Sequence, residues 1–207
     1  MSQTELAPAP GATRPLVAAA PPASPARPRV LMIGSALSSA ATFMFFMGML
    51  GIYLARRADA IGAGKRWLPK SATIPLTQPN MIFFTMIMTC VTFAWASYAL
   101  RRRDKNNAFI ALGLTLLFSV AIINQYTYLL SQLNLSVKTE AGVLVLAICG
   151  AHVVMLLLIT GALLLVTLRT LGGSYRDIPE GITATAVWWY TAVAIFAALW
   201  YGIFITK

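Results

Sequence analysis

The chain has 207 residues, of which 58% are hydrophobic and only 11% charged, a balance that excludes a soluble globular domain and suits a helical membrane protein. Its formal net charge of +10, from 16 Lys and Arg against 6 Asp and Glu, sits at the ends of apolar runs rather than in a patch with stacking aromatics. That placement excludes nucleic acid as the partner and points to anionic lipid headgroups.

Residues 1–29 are rich in Ala and Pro, with Pro8, Pro10, Pro15, Pro21, Pro22, Pro25 and Pro28. Prolines at this density cannot continue a helix, so a disordered or polyproline-like tail is predicted. Arg27 and Arg29 follow the Pro-rich part, an order that does not fit a signal peptide.

The first apolar run, about 30–55, begins with small residues from Gly34 to Thr42 and turns bulky from Phe43 to Leu50. Small side chains allow close helix approach in lipid, so the first half is expected to pack against a neighbour. Arg56, Arg57 and Asp59 then open a predicted loop in which Trp67 suits the interfacial zone. Pro79 reads as the first-turn proline of a second span, about 79–100, which ends at Arg101, Arg102, Arg103, Asp104 and Lys105. Asn106 and Asn107 open a third, about 108–130, whose Asn124, Gln125, Tyr126 and Tyr128 need interhelical partners or the interface.

The fourth run, about 141–168, has no charged side chain between Glu140 and Arg169, and the rest of the chain is expected to pack against it. It carries His152, the only histidine; an imidazole in hydrocarbon requires a protein-facing side at that level. Gly172 and Gly173 read as a helix stop, and Asp177 to Glu180 as the start of the last span, about 182–205, with Trp188, Trp189, Tyr190, Trp200 and Tyr201 expected mostly in an interfacial belt. The prediction is an all-α fold, a polytopic bundle of five transmembrane helices making one domain over 30–207. A slight excess of Lys and Arg on the tail and on the Arg101 and Arg169 loops places the N-terminus in the cytoplasm.

No carboxylate falls within a predicted span, so a proton relay of ionisable side chains lacks its parts. One histidine cannot supply a bis-histidine haem or a multi-histidine metal centre. Cys149, His152 and Met155, spaced by three, offer a donor set that copper would accept, but residues so close on one rigid helix rarely surround a metal, and packing of small, soft side chains is the plainer reading. Cys90 and Cys149 both lie in apolar runs, where a structural disulfide is not expected. No catalytic residue or resident cofactor emerges, which points to an accessory role.

The order of pieces over 30–207 resembles subunit III of haem-copper terminal oxidases, in the short five-span form of some bacteria. Met44, Phe45, Phe46, Gly48, Tyr53 and Arg56 are similar to the family's glutamate-x-Met-Phe-Phe segment and its exit. Gly150, His152 and Arg169 resemble parts of its Gly-Phe-His-Gly-x-His helix, Trp189 the tryptophan of its final Tyr-Trp-His segment, and Tyr128 the tyrosine closing its third helix. The family's ionisable residues are replaced: its glutamate falls at Thr42, a second carboxylate at Thr127, a histidine at Met155, and a histidine and an aspartate at Tyr190 and Val193.

The resemblance implies a non-catalytic subunit of the bacterial inner membrane that packs beside catalytic subunit I, whose haem and copper it does not share. It also implies phospholipid held between its helices, and support for oxygen access or sustained turnover. Candidate lipid and interface residues are Thr42, Phe45, Phe46, Arg56, Arg57, Trp67, Arg101, Arg102, Arg103, His152, Trp189 and Tyr190. The rival readings are an accessory subunit of a nitric oxide reductase, a small transporter or assembly factor, and a copper-handling protein built on Cys149, His152 and Met155.

Overall fold

The computed structural model describes residues 30–70, 72–172 and 178–206. The Ala- and Pro-rich tail, and Gly173 and Asp177 of the last turn, lie outside the described residues. Among the described residues five helices follow one another: α1 (Val30–Gly62), α2 (Thr77–Arg101), α3 (Lys105–Gln132), α4 (Glu140–Leu171) and α5 (Ile178–Leu199), the last continuing as a π-helical turn over Trp200–Ile205. All five are long and apolar enough to cross a bilayer, and the chain is an all-helical, multi-pass membrane protein.

The helix ends differ from the sequence reading where local backbone chemistry outweighs charge. α1 runs on past Ala55, so Arg56, Arg57 and Asp59 sit on its last turns instead of in a loop. It stops where Gly64 takes φ +69°, with Gly64 N–H donating to Ile61 O at 2.9 Å and Lys65 N–H to Ala60 O at 2.9 Å. These are the two bonds of a Schellman cap, which only a residue tolerant of left-handed backbone completes without strain. α2 ends in the same bond pattern, with Arg103 at φ 57°, Arg103 N–H donating to Leu100 O and Asp104 N–H to Ala99 O. A non-glycine residue there is uncommon, and it allows α3 to begin at once.

Asp104, read from sequence as part of a terminating charge run, is the N-cap of α3: its carboxylate accepts from Asn107 N–H at 3.2 Å and from Asn107 Nδ2 at 2.6 Å. The Asn107 side chain, and then its backbone N–H, hold the Asp104 carboxyl below its usual range. A lowered folded value means that this cap contributes fully above the unfolded carboxyl range, near pH 4, and is lost as pH falls through the lower folded value. The Asn107 amide should therefore keep its exchange protection factor at neutral pH and lose it in acid; a factor flat across the acid range would refute the assignment.

Two membrane faces are set by contacts at the helix ends. Arg56 Nε pairs with Glu140 Oε1 at 3.3 Å, and Arg57 Nη1 donates to Thr206 Oγ1 at 2.8 Å, placing the end of α1, the start of α4 and the end of α5 together. The Arg56 pair is exposed and contributes little energy. The segment before α2 joins the same face through Thr73, which donates its N–H to Leu133 O and its hydroxyl to Gln132 O. This is the Trp67 face; the α2–α3 turn, and with it Arg101, marks the opposite one.

α5 is the hub, against the expectation that α4 would be. It packs on α1, α2 and α4, and reaches α3 through Tyr126 and Phe196, whose ring centroids are 5.5 Å apart. α4 keeps Leu157, Leu164 and Leu168 exposed along its length. α1 is the least buried helix. Of its small-residue run only Ser35 and Ser39 turn into the bundle, while Gly34, Ser38 and Ala41 face outward. Consecutive residues advance about 100° around a helix, so an unbroken run of small residues cannot all meet one neighbour.

Candidate functional site

Because α1 and α4 lean on α5 but meet each other less extensively, a cleft of about 630 Å³ opens between the three helices. Its walls run from Leu31 to Phe46 on α1 and from Ala151 to Arg169 on α4. At 1.5 Å per residue the α4 wall is roughly 27 Å long, so the cleft reaches from the Arg101 face past the bilayer midplane. Two hydroxyls on its walls are turned onto their own helices, Ser35 Oγ donating to Met32 O at 2.8 Å and Thr185 Oγ1 to Gly181 O at 2.9 Å. The surface left to an occupant is therefore largely apolar, with the Arg169 guanidinium at the Arg101-face end. Such a shape takes a long hydrocarbon chain whose head is anionic.

Thr42, Phe45 and Phe46 all line this cleft. Phe46 also forms the partition behind which His152 lies. The imidazole is wholly buried and touches three other helices: Phe46 of α1 edge-on at 5.7 Å, Tyr126 of α3 at 5.5 Å, and Phe196 of α5 stacked at 5.8 Å. Its Nε2 lies 3.0 Å from Ala192 O. A carbonyl can only accept, so Nε2 carries the proton and donates. The partner is a backbone carbonyl on α5, a group no residue type announces.

Cys149, His152 and Met155 do not converge. Steps of three residues turn each side chain about 60° from the last, leaving Cys149 and Met155 about 120° apart around α4. Met155 lines the cleft, whereas Cys149 faces inward beside the Tyr126 hydroxyl. Among the described residues no group of three or more His, Cys, Asp or Glu is placed to hold a metal ion.

The other candidate residues divide between the two faces. Arg56 and Arg57 are engaged at the Trp67 face as described above. Trp67 packs edge-on against Tyr53, with centroids 5.6 Å apart, and is half-buried. At the opposite face Arg101 and Tyr190 line a second hollow of about 330 Å³ between α2 and α5, together with Tyr98 and Ser97. Arg102 covers the Tyr98 ring at 4.8 Å, a cation–π contact, and Arg103 shapes the turn with its backbone. Trp189, expected at an interface, is instead fully buried, its Nε1 beside the Cys90 thiol. Trp200, also expected in the belt, donates its Nε1–H to Asn80 Oδ1 at 2.8 Å and stacks on Phe83. An indole is large enough to serve as core, so the aromatic residues of α5 hold helices together as well as marking the interface.

Compared with known proteins, the chain matches no family model, and no curated protein is similar to it.

Proposed function

We propose that the chain is a non-catalytic, subunit III-like component of a bacterial respiratory haem-copper oxidase complex, holding phospholipid beside the catalytic subunit and supporting oxygen access or sustained turnover. The observation that carries this reading is the apolar cleft on α1, α4 and α5, which is lined by Thr42, Phe45 and Phe46 of the resembling segment and headed by Arg169. The haem and copper belong to the partner subunits. Counting the tail, nine Lys and Arg (Arg14, Arg27, Arg29, Arg101, Arg102, Arg103, Lys105, Arg169 and Arg176) against seven on the other side give a slight excess that supports a cytoplasmic Arg101 face, hence a cytoplasmic N-terminus in the inner membrane. With Thr42 where the family has glutamate, the cleft works by packing and lipid retention rather than by proton transfer.

The test is purification through a C-terminal tag in mild detergent, with a visible spectrum and mass spectrometry of the chains and lipids retained. Haem bands together with a large catalytic subunit are expected, and the spectrum separates an oxidase from a nitric oxide reductase. A colourless, solitary protein would overturn the reading. Ala162, exposed on the cleft wall, provides a specific probe. Ala162→Trp should cut retained phospholipid at least severalfold with helical content unchanged, and unchanged lipid would remove the cleft from the argument.

A further inference from the structure

The outward face of α3 carries a polar group that neither cleft nor core accounts for. Its exposed residues recur at alternating steps of three and four: Ile110, Gly113, Leu117, Val120, Asn124 and Thr127. Any helix half-covered by its neighbours leaves such a strip bare, and apolar exposure is what lipid itself prefers, so the spacing alone chooses no partner. Asn124 does. The midpoint of α3 falls between Phe118 and Ser119, and Asn124 lies about 8 Å beyond it, inside a hydrocarbon half-thickness of about 15 Å. The exposed hydroxyls of the spans are turned onto their own helices: Ser38 Oγ donates to Gly34 O, Thr85 Oγ1 to Met81 O and Thr127 Oγ1 to Asn124 O. The Asn124 side chain, with two N–H donors and an acceptor oxygen, is exposed and has no partner among the described residues. Lipid tails hold no hydrogen-bonding group, so an amide at this depth costs free energy until another polar group meets it.

A second copy of the chain brings that group to the right place. Copies that share one topology present parallel α3 helices, with Asn124 of each at the same depth. A two-fold axis along the membrane normal then sets the two side chains face to face, and a carboxamide, being donor and acceptor at once, is complementary to itself. A polar Asn on such a seam fixes the register of parallel helices. At Gly113, on the same strip, nothing lies within 4 Å of a Cβ position, which leaves room for a second backbone to approach. No charged side chain occurs between Lys105 and Lys138, so the facing helices bring no like charges together within the membrane. We propose that α3 is a homodimer interface, two copies meeting along the strip from Ile110 to Thr127 with their Asn124 carboxamides hydrogen-bonded to each other. The inference goes beyond the oxidase reading and does not rest on it.

The test joins two measurements on the full chain in native membranes. Copies carrying two different tags are co-expressed and purified through one tag, and Leu117→Cys and Val120→Cys are oxidised in place. The unsubstituted chain, whose Cys90 is half-buried and Cys149 buried, is the blank. The second tag is expected to copurify, and both cysteine variants to give covalent dimer joined through the substituted position of each copy. Leu157→Cys, exposed on α4, should give none. Adding Asn124→Leu should lower the Val120→Cys dimer and the copurified tag roughly fivefold, whereas Asn124→Gln, which keeps the carboxamide, should retain most of both. Loss of the second tag in wild type would overturn the proposal. So would equal dimer at Leu157→Cys, which reports random collision, a Val120→Cys adduct to a different protein, which means another chain covers the strip, or no effect of Asn124→Leu. Asn124 is exposed, so its replacement leaves the packing of the chain intact; should it not, the cysteine pairs alone decide.

Discussion

His152→Ala is expected to destabilise the bundle by about 3 kcal/mol, one of the two largest effects of a single change in this chain. The imidazole rests on Phe46, Tyr126 and Phe196 at once, and so on α1, α3 and α5 from its seat on α4. In a bilayer, packing rather than water exclusion drives helix association, so the loss is mostly of dispersion contacts and of the cavity left behind, about 2 kcal/mol. The bond to Ala192 O adds up to about 1 kcal/mol. His152→Phe separates the two contributions, because it keeps a ring in the slot and loses only the hydrogen bond; a cost of about 1 kcal/mol is expected. Reversible unfolding in mixed detergent micelles measures both. If the alanine variant were as stable as wild type, His152 would not be the contact that joins the four helices.

Gly142→Ala should cost a similar amount, about 3 kcal/mol, although helix propensity alone favours alanine by about 1 kcal/mol. Gly142 lies in the first turn of α4, and a Cβ there would strike Ser136 O and stand 2.7 Å from Thr139 Oγ1. Ser136 O is backbone, already accepting from Thr139 N–H at 3.2 Å and from the Thr139 hydroxyl at 3.0 Å, so it cannot swing aside. The 136–139 turn must lift, which removes the Thr139 cap on Gly142 N–H, about 1 kcal/mol, and adds overpacking of about 3 kcal/mol, offset by the propensity gain of about 1 kcal/mol. Gly202→Ala provides the contrast. Its Cβ would meet Leu50 Cδ1 at 2.8 Å, the far end of a flexible side chain, and the expected cost stays under about 1 kcal/mol. Equal stabilities for the two alanine variants would refute the distinction between backbone and side-chain obstruction.

The five spans were legible in the sequence because each is a long apolar run, and a polypeptide in hydrocarbon has few ways other than a helix to satisfy its backbone. The burial of His152 was legible on the same physical ground, that an imidazole in such a run must find protein. The helix ends were less so. Gly64 and Arg103 stop their helices by adopting left-handed backbone, and at Arg103 no residue type signals it. Asp104 belonged on paper to a charge run, yet its position three residues before Asn107 makes it a cap.

The candidate site was legible only in part. Thr42, Phe45 and Phe46 fall on the cleft wall, whereas Arg169 reads in sequence as a helix end, not as the head of a binding cleft. Trp189 and the Cys149, His152 and Met155 set mislead in sequence for one reason: spacing along a helix fixes the angle between side chains but not which neighbour each angle faces. The amino-acid sequence by itself determined class, span number and the need for a partner at His152, since these follow from transfer of single groups into lipid. Only the tertiary structure decided that α5 is the hub, that α1 and α4 part to leave the cleft, and that Ala192 O is the partner of His152. Those outcomes depend on which helix faces meet, and between apolar helices in an apolar solvent that choice rests on shape, which emerges only when all five surfaces are packed together.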